Sequence, residues 1–583
     1  MSKLCIIRRS TAAFVTACAL SLLVLPSTAG AAARPTVNTS DGPVRGFVKS
    51  GVDTFLGVPF AAAPVGRLRW RPPQRPTPWH KPLNATAFGP PCPQVTTLGV
   101  FAGPTSIDED CLYLNVFTTG TDRAGARGHA ARARSHARRA RGKARAGSSG
   151  RPVVVWIHGG GNVDGASADY DGSKLASGGS YGGQDAVVVT VNYRLGLLGF
   201  LAHPALDSEG HSFANYGTMD IQAALRWVQR NIAAFGGDPD NVTLGGQSAG
   251  ASETGANVIS PLSAGLFDRA IFQSNFTSTY PPLSVGINRG NGFAQAAGCP
   301  GDGTSAAACL RNLSVPEVLQ LQGTANANGP YVTGPMVDGT IIPITPEQAW
   351  TTGRFNHMPI MGGNTHDERT FTSGITEYFS GPPQRPVSAE DYTTSVTQAY
   401  SGNAGPGGTP PAYPPGTVDQ VLGEYPLSNY ASPFLADDAA FTDPGACRGI
   451  HVSNLLAKTV PVYSYQFDYR DAPYYFPPMP GFDPLAAHTI DIQFLFPLWH
   501  GGQLGVSHPL NDAETNLSDE LVAAWTNFAA SGNPNGTGDA PWARYLPGSG
   551  PYYSQNLPSS STVSADDFAA QHHCDFWDSI LVY

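Results

Sequence analysis

Residues 242–252, VTLGGQSAGAS, decide how the rest of the chain is read. Val242, Thr243 and Leu244 form a strand-like apolar run that meets Gly245 and Gly246, after which Gln247, Ser248, Ala249 and Gly250 lead into small residues. This order predicts a strand, a tight turn and the start of a helix. Gly246, Ser248 and Gly250 match Gly-Xaa-Ser-Xaa-Gly, where a strained turn needs small neighbours so that the serine oxygen stands clear of the sheet. The Ala249 amide then opens a helix and points at developing negative charge. A glycine-rich strand end also occurs with no chemistry attached, so a nucleophilic Ser248 depends on what else the chain supplies.

Outward from that turn the pattern alternates. From Pro152 onward, VVVWIH ending at His158 and AVVVTVNY over residues 186–193 read as buried strands. Ile221, Leu225, Val228 and Ile232 fall on one face of a helix packed on a sheet, and FGGDPDN ends it and leads into the serine turn. Further strands are predicted at 270–274, 359–363 and 462–469, and CLYLNVF over 111–117 is another. Strands alternating with helices predict an α/β fold with a large, mostly parallel sheet covered on both faces. Residues 36–71 hold short strands and an irregular, proline-rich scaffold segment, and residues 377–430, rich in Pro, Gly and Tyr, read as a looped subdomain over one edge.

Length alone, 583 residues, would suggest about four domains. The motifs below need distant residues to meet, so a single domain over 34–583 is expected. Residues 1–33 read as a secretory signal, with Lys3, Arg8 and Arg9 before an apolar core and small residues at the end. That core is too short to span a bilayer, so no membrane span is expected after its removal. Arg8-Arg9 leaves both the general and the twin-arginine export routes open. Six cysteines follow the signal: Cys92, Cys111, Cys299, Cys309, Cys447 and Cys574. Their fifteen connectivities are not distinguished by sequence; neighbour pairing gives Cys92–Cys111, Cys299–Cys309 and Cys447–Cys574 as surface loop staples in an exported protein.

Between Arg123 and Arg145 lie nine Lys or Arg and no Asp or Glu, in a segment expected to be a disordered basic insertion over 122–150. Setting those nine charges aside takes the net charge of −9 to −18 for the remaining residues. A basic loop on an acidic body suits docking onto that body or onto a polyanion, while the absence of interleaved aromatics gives no support for a nucleic acid partner.

A serine hydroxyl is a poor nucleophile at neutral pH and needs a base, an orienting acid and an oxyanion site. His158-Gly159-Gly160-Gly161, directly after a strand, lets backbone amides approach a ligand oxygen and matches the oxyanion loop of esterases and lipases. Together with FLGVPFAAAPVGRLRW, EDCLYLNVF, WIHGGG, VNYRLG, NIAAFGGDPDNVTLGGQSAGAS, ISPLSAGLFDRAIFQS, GGNTHDE and AHTIDIQFLF, this gives a chain that resembles the type-B carboxylesterase and lipase family, which includes the cholinesterases, from about Gly57 to Trp577.

The resemblance implies an α/β-hydrolase fold with a small N-terminal antiparallel sheet and looped, cap-like insertions. It also implies Glu368 as the acid, in GGNTHDE, with Asp367 as the fallback and Arg369 standing where the family has glycine. The base falls on His488, although Thr489 and Asp491 depart from the family's His-Gly-Xaa-Glu-Leu; His366 and His500 are the competitors. Gly160, Gly161 and Ala249 would receive the oxyanion. The implied activity is that of a secreted serine carboxylesterase working on small-molecule esters without metal or organic cofactor. Cholinesterases carry glutamate before the nucleophile and tryptophan ahead of the second cysteine; Gln247 and Phe101 stand there in this sequence, so neutral esters are expected over choline esters. A lipase acting on acylglycerols, or a non-catalytic adhesion or polyanion-binding protein on the same fold, are the alternatives.

Overall fold

The computed structural model describes residues 34–95, 103–121, 150–212, 214–275, 279–324, 330–401, 413–501, 505–536 and 541–581. Its strands, in chain order, are β1 (Thr36–Asn38), β2 (Pro43–Arg45), β3 (Phe47–Lys49), β4 (Val52–Pro59), β5 (Leu83–Asn84), β6 (Tyr113–Thr118), β7 (Arg151–Ile157), β8 (Val187–Val191), β9 (Gly237–Gln247), β10 (Arg269–Gln273), β11 (Ile360–Thr365), β12 (Val462–Phe467), β13 (Tyr552–Gln555) and β14 (Ser561–Val563). Among the described residues, eleven strands form one sheet in the order β14-β13-β12-β11-β10-β9-β7-β8-β6-β4-β3. It is parallel from β13 to β8 and antiparallel at both ends. The signal expected over 1–33 lies outside the described residues, as does the insertion expected over 122–150 apart from Gly150.

Successive residues of the central strands serve opposite faces, as a pleated strand requires. Val153, Val155 and Ile157 of β7 pack on one core with Val187, Val189, Val242 and Leu244. Val154 and Trp156 pack on the other with Val188, Ile271 and Met361. Helix α1 (Tyr216–Asn231) covers the first face through Ile221, Leu225 and Val228, and the short turn of helix after it stops at Gly236, whose φ is 85°. Helix α2 (Ala249–Ile259) follows β9 and is buried along its whole length. The described residues from Pro35 onward form one compact unit.

Two expectations about the secondary structure are corrected. The small sheet is mixed: β1 and β2 are antiparallel, but β5 joins β2 in parallel, because the long connection from Arg45 to Leu83 lets the chain return in the same direction. Residues 377–430 contain helices, where composition predicts loops. They include the end of α3 (Thr370–Phe379), all of α4 (Ala389–Tyr400) and α5 (Thr417–Glu424). A reciprocal capping box between Ser388 and Asp391 starts α4, and Tyr392, Val396 and Tyr400 at helical spacing pack against α6 (Pro433–Ala457).

The three bridges join Cys92–Cys111, Cys299–Cys309 and Cys447–Cys574, with Cα separations of 4.9, 5.5 and 5.3 Å. Five of the six cysteines are buried rather than lying on the surface, and Cys447–Cys574 ties α6 to the C-terminal segment inside a core cluster. Among the described residues no helix is long and apolar enough to cross a membrane.

Candidate active site

The turn after β9 holds Ser248 at φ 57° and ψ −122°, a conformation that non-glycine residues rarely adopt. Ser248 N–H donates to the Gln273 carbonyl of β10 at 2.8 Å, and its own carbonyl accepts from Ala251 and Ser252 N–H, so strand and helix together hold the strain. The motif's glycines are there for space: a Cβ on Gly250 would lie 2.1 Å from the Ile157 carbonyl oxygen of β7.

His488 and Glu368 come from distant segments. Glu368 follows β11, the neighbour but one of β9 in the sheet, and accepts from Thr365 N–H at 2.8 Å. Its other oxygen pairs with His488 Nδ1. Burial opposes charge on both partners. For Glu368 burial is the largest single influence, but the His488 imidazole together with hydrogen bonds from Ser274 and Thr365 N–H outweighs it and holds the carboxyl below its usual 4.5; for His488 the Glu368 and Asp491 carboxylates together outweigh burial and raise the imidazole above 6.5. Asp491, buried behind this pair and bonded by Gln273 Nε2 at 2.7 Å, is pushed up to about 7 by burial and by Glu368.

Ser248, His488, Gly160 and Gly161 line one cavity of about 60 Å³, with Gly159, Gln247, Asp169, Tyr170, Phe371, Tyr475, Thr489 and Trp499 among its other walls. Gly160 has φ 105°, and a Cβ there would meet the Asp164 carbonyl oxygen at 2.1 Å, so only glycine fits. His158 braces the loop: its ring stacks on Tyr193 at 4.7 Å between centroids, and its Nδ1 lies 2.8 Å from the Gly159 carbonyl. Burial lowers the His158 pKa to about 4, so this histidine stays neutral and serves the loop's packing. Gln94 clamps the far end of the loop by bonds of 2.8 and 2.9 Å to Gly165 N–H and carbonyl.

Ala249 is not among the cavity-lining residues; it is the first residue of α2, where helix geometry leaves its N–H without a partner within the helix. Gln247 lines the cavity, is buried, and has its amide nitrogen 3.1 Å from His488 Nε2. Phe101 lies outside the described residues. Asp367 is committed elsewhere: its carboxylate takes Arg470 Nη2 at 2.6 Å and Nε at 2.9 Å. His366 Nδ1 sits 2.8 Å from Asp468. His500 acts electrostatically on Asp169, whose carboxyl burial raises to about 6.

Sequence reasoning missed Asp169, Tyr170, Phe371, Tyr475 and Trp499, which reach the cavity from separate segments, and it missed the bracing by Gln94 and Tyr193. Only Tyr193 carried a signal, because it lies in VNYRLG. Among the described residues no group of three His, Cys, Asp or Glu side chains is arranged to hold a metal ion.

Residues 33–577 match the model of the carboxylesterase family. The chain is 31% identical over 539 residues to an acylcarnitine hydrolase of Mus musculus, covering 88% of this chain and 85% of that one. It is 31% identical over 525 residues to a para-nitrobenzyl esterase of Bacillus subtilis (strain 168), covering 87% and 92%. A solved PNB esterase superposes with a TM-score of 0.68 at 28% identity, over 92% of this chain and 99% of its own, and has the same α/β-hydrolase fold. The chain therefore belongs to the carboxylesterase family and is a carboxylic ester hydrolase.

Proposed function

We propose that this protein is a secreted serine carboxylesterase that hydrolyses neutral carboxylic esters through an acyl-enzyme. The observation that carries the reading is the meeting of Ser248, His488 and the Gly160-Gly161 loop in one cavity, with Glu368 on the far nitrogen of the imidazole. With its Nδ1 proton directed at Glu368, neutral His488 has its acceptor lone pair at Nε2, which the Gln247 amide approaches at 3.1 Å; once that amide turns away, Nε2 accepts the Ser248 proton as the serine oxygen attacks the ester carbonyl. Glu368 then stabilises the imidazolium. The amides of Gly160, Gly161 and Ala249 receive the oxyanion, each donor being worth roughly 3 kcal/mol of the barrier. His488 returns the proton to the leaving alcohol, and a water activated by the same nitrogen releases the acid.

The secretory reading rests on the leader-like residues 1–33 and the three bridges, and residues 34–583 form the catalytic domain in this proposal. The basic segment at 122–150 is proposed as a surface contact for a polyanion. Hydrolysis of ethyl esters of increasing acyl length, followed by pH-stat beside Ser248→Ala, tests the activity. Turnover of dissolved short esters that vanishes in the variant supports it. Activity appearing only at an oil interface would favour a lipase, and no activity at all would favour a binding protein.

A further inference from the structure

Thr489 stands where the resembled family has glycine, and it has φ 77°, a left-handed conformation that is rare for a β-branched residue. Its surroundings hold it there. The Thr489 and Tyr475 hydroxyls are 2.9 Å apart, and Tyr474 OH donates to the His488 carbonyl at 3.2 Å. Tyr475 is fixed in turn against Trp499, with ring centroids 4.9 Å apart. Strain retained next to a reacting group points to a role for the side chain.

The chemistry says which part of the substrate meets this wall. His488 must protonate the leaving oxygen, so that oxygen comes within hydrogen-bond reach of the imidazole, and the alcohol moiety extends along its side of the cavity. Thr489, Tyr475 and Trp499 line the cavity together with His488.

We propose that Thr489, clamped by Tyr475, is a specificity-determining residue that shortens the alcohol side of the cavity and makes the enzyme select esters of small alcohols. The proposal rests on the serine esterase reading above. It is tested by pH-stat kinetics on ethyl and hexyl acetate with the full-length wild type, Thr489→Gly, Tyr475→Phe and Ser248→Ala. The readout is the hexyl-to-ethyl ratio of kcat/KM within each protein, which does not depend on the fraction correctly folded.

Wild type should favour ethyl acetate by about tenfold or more, and Thr489→Gly should raise the hexyl-to-ethyl ratio by about tenfold. Tyr475→Phe should raise it by a smaller factor, since the ring remains while the clamp on Thr489 is lost. A ratio in Thr489→Gly within about twofold of wild type, or a wild type that prefers hexyl acetate, would overturn the proposal. Residual turnover in Ser248→Ala would instead overturn the reading beneath it, so the two failures are told apart.

Discussion

Gly160 and Gly161, the proposed oxyanion donors of the loop after β7, should respond very differently to alanine. At Gly160 a Cβ would lie 2.1 Å from the Asp164 carbonyl oxygen and 2.6 Å from its carbon, at φ 105°. Those are backbone atoms, so the loop itself must move. At Gly161 the nearest atom is Val163 Cγ2 at 3.6 Å, an ordinary contact, and φ is 62°. Alanine can occupy that region at a cost of about 1–2 kcal/mol. Gly160→Ala should therefore displace the donors and lower kcat by about 10²–10³-fold, the loss of roughly one oxyanion hydrogen bond. Gly161→Ala should stay within about tenfold of wild type, its cost falling mainly on stability. Saturating kinetics on a soluble ester, with thermal melts of each variant, separate the two effects. Equal losses of kcat in the two variants would show that the amides of this loop do not act through the geometry described.

Glu368→Gln should lower kcat by about 10³–10⁴-fold by losing the tautomer that presents Nε2 as a base, whereas Asp367→Asn should leave kcat within a few fold and lower the melting temperature by weakening the Arg470 pair. Because the base must be neutral, kcat/KM should rise with pH through a value above 6.5, and Asp491→Asn, which removes a carboxylate that raises His488, should move that limb to lower pH in a pH-rate profile. Burial raises the Glu253 carboxyl to about 8 from about 4.5, so the folded state holds a proton that the unfolded chain loses. Its contribution is greatest below pH 4.5 and is lost as pH rises through 8; urea midpoints measured between about pH 5 and pH 8 should therefore fall more steeply in wild type than in Glu253→Gln. Removing Cys447–Cys574, with a separation of 127 residues, should cost about 5 kcal/mol in a denaturant titration, against about 3 kcal/mol for Cys299–Cys309, separated by 10.

The serine turn was legible because its demands are local: the space around Gly250 is set by β7 and leaves no room for a side chain, and that restriction is written in the motif. The alternating strands were legible for a similar reason, since residues buried on both faces must be apolar throughout. Glu368 and His488 carried no such local signature, and only the resemblance marked them among other acids and histidines. The cavity walls were hidden, because Phe371, Tyr475 and Trp499 become neighbours only once the strands have assembled and not through spacing in the chain. Thr489 was visible as a departure, but its backbone conformation was not. In α4 the signal was present and outweighed: Tyr392, Val396 and Tyr400 had helical spacing, while the prolines and glycines around them dominated the composition.

Intact-protein mass spectrometry after treatment with an organophosphate, followed by peptide mapping, bears most directly on the central claim that an activated serine performs the hydrolysis. One phosphoryl adduct on Ser248, formed in parallel with loss of esterase activity and absent from Ser248→Ala, is the predicted result. Full inactivation with the adduct on another residue, or undiminished hydrolysis by Ser248→Ala, would contradict it.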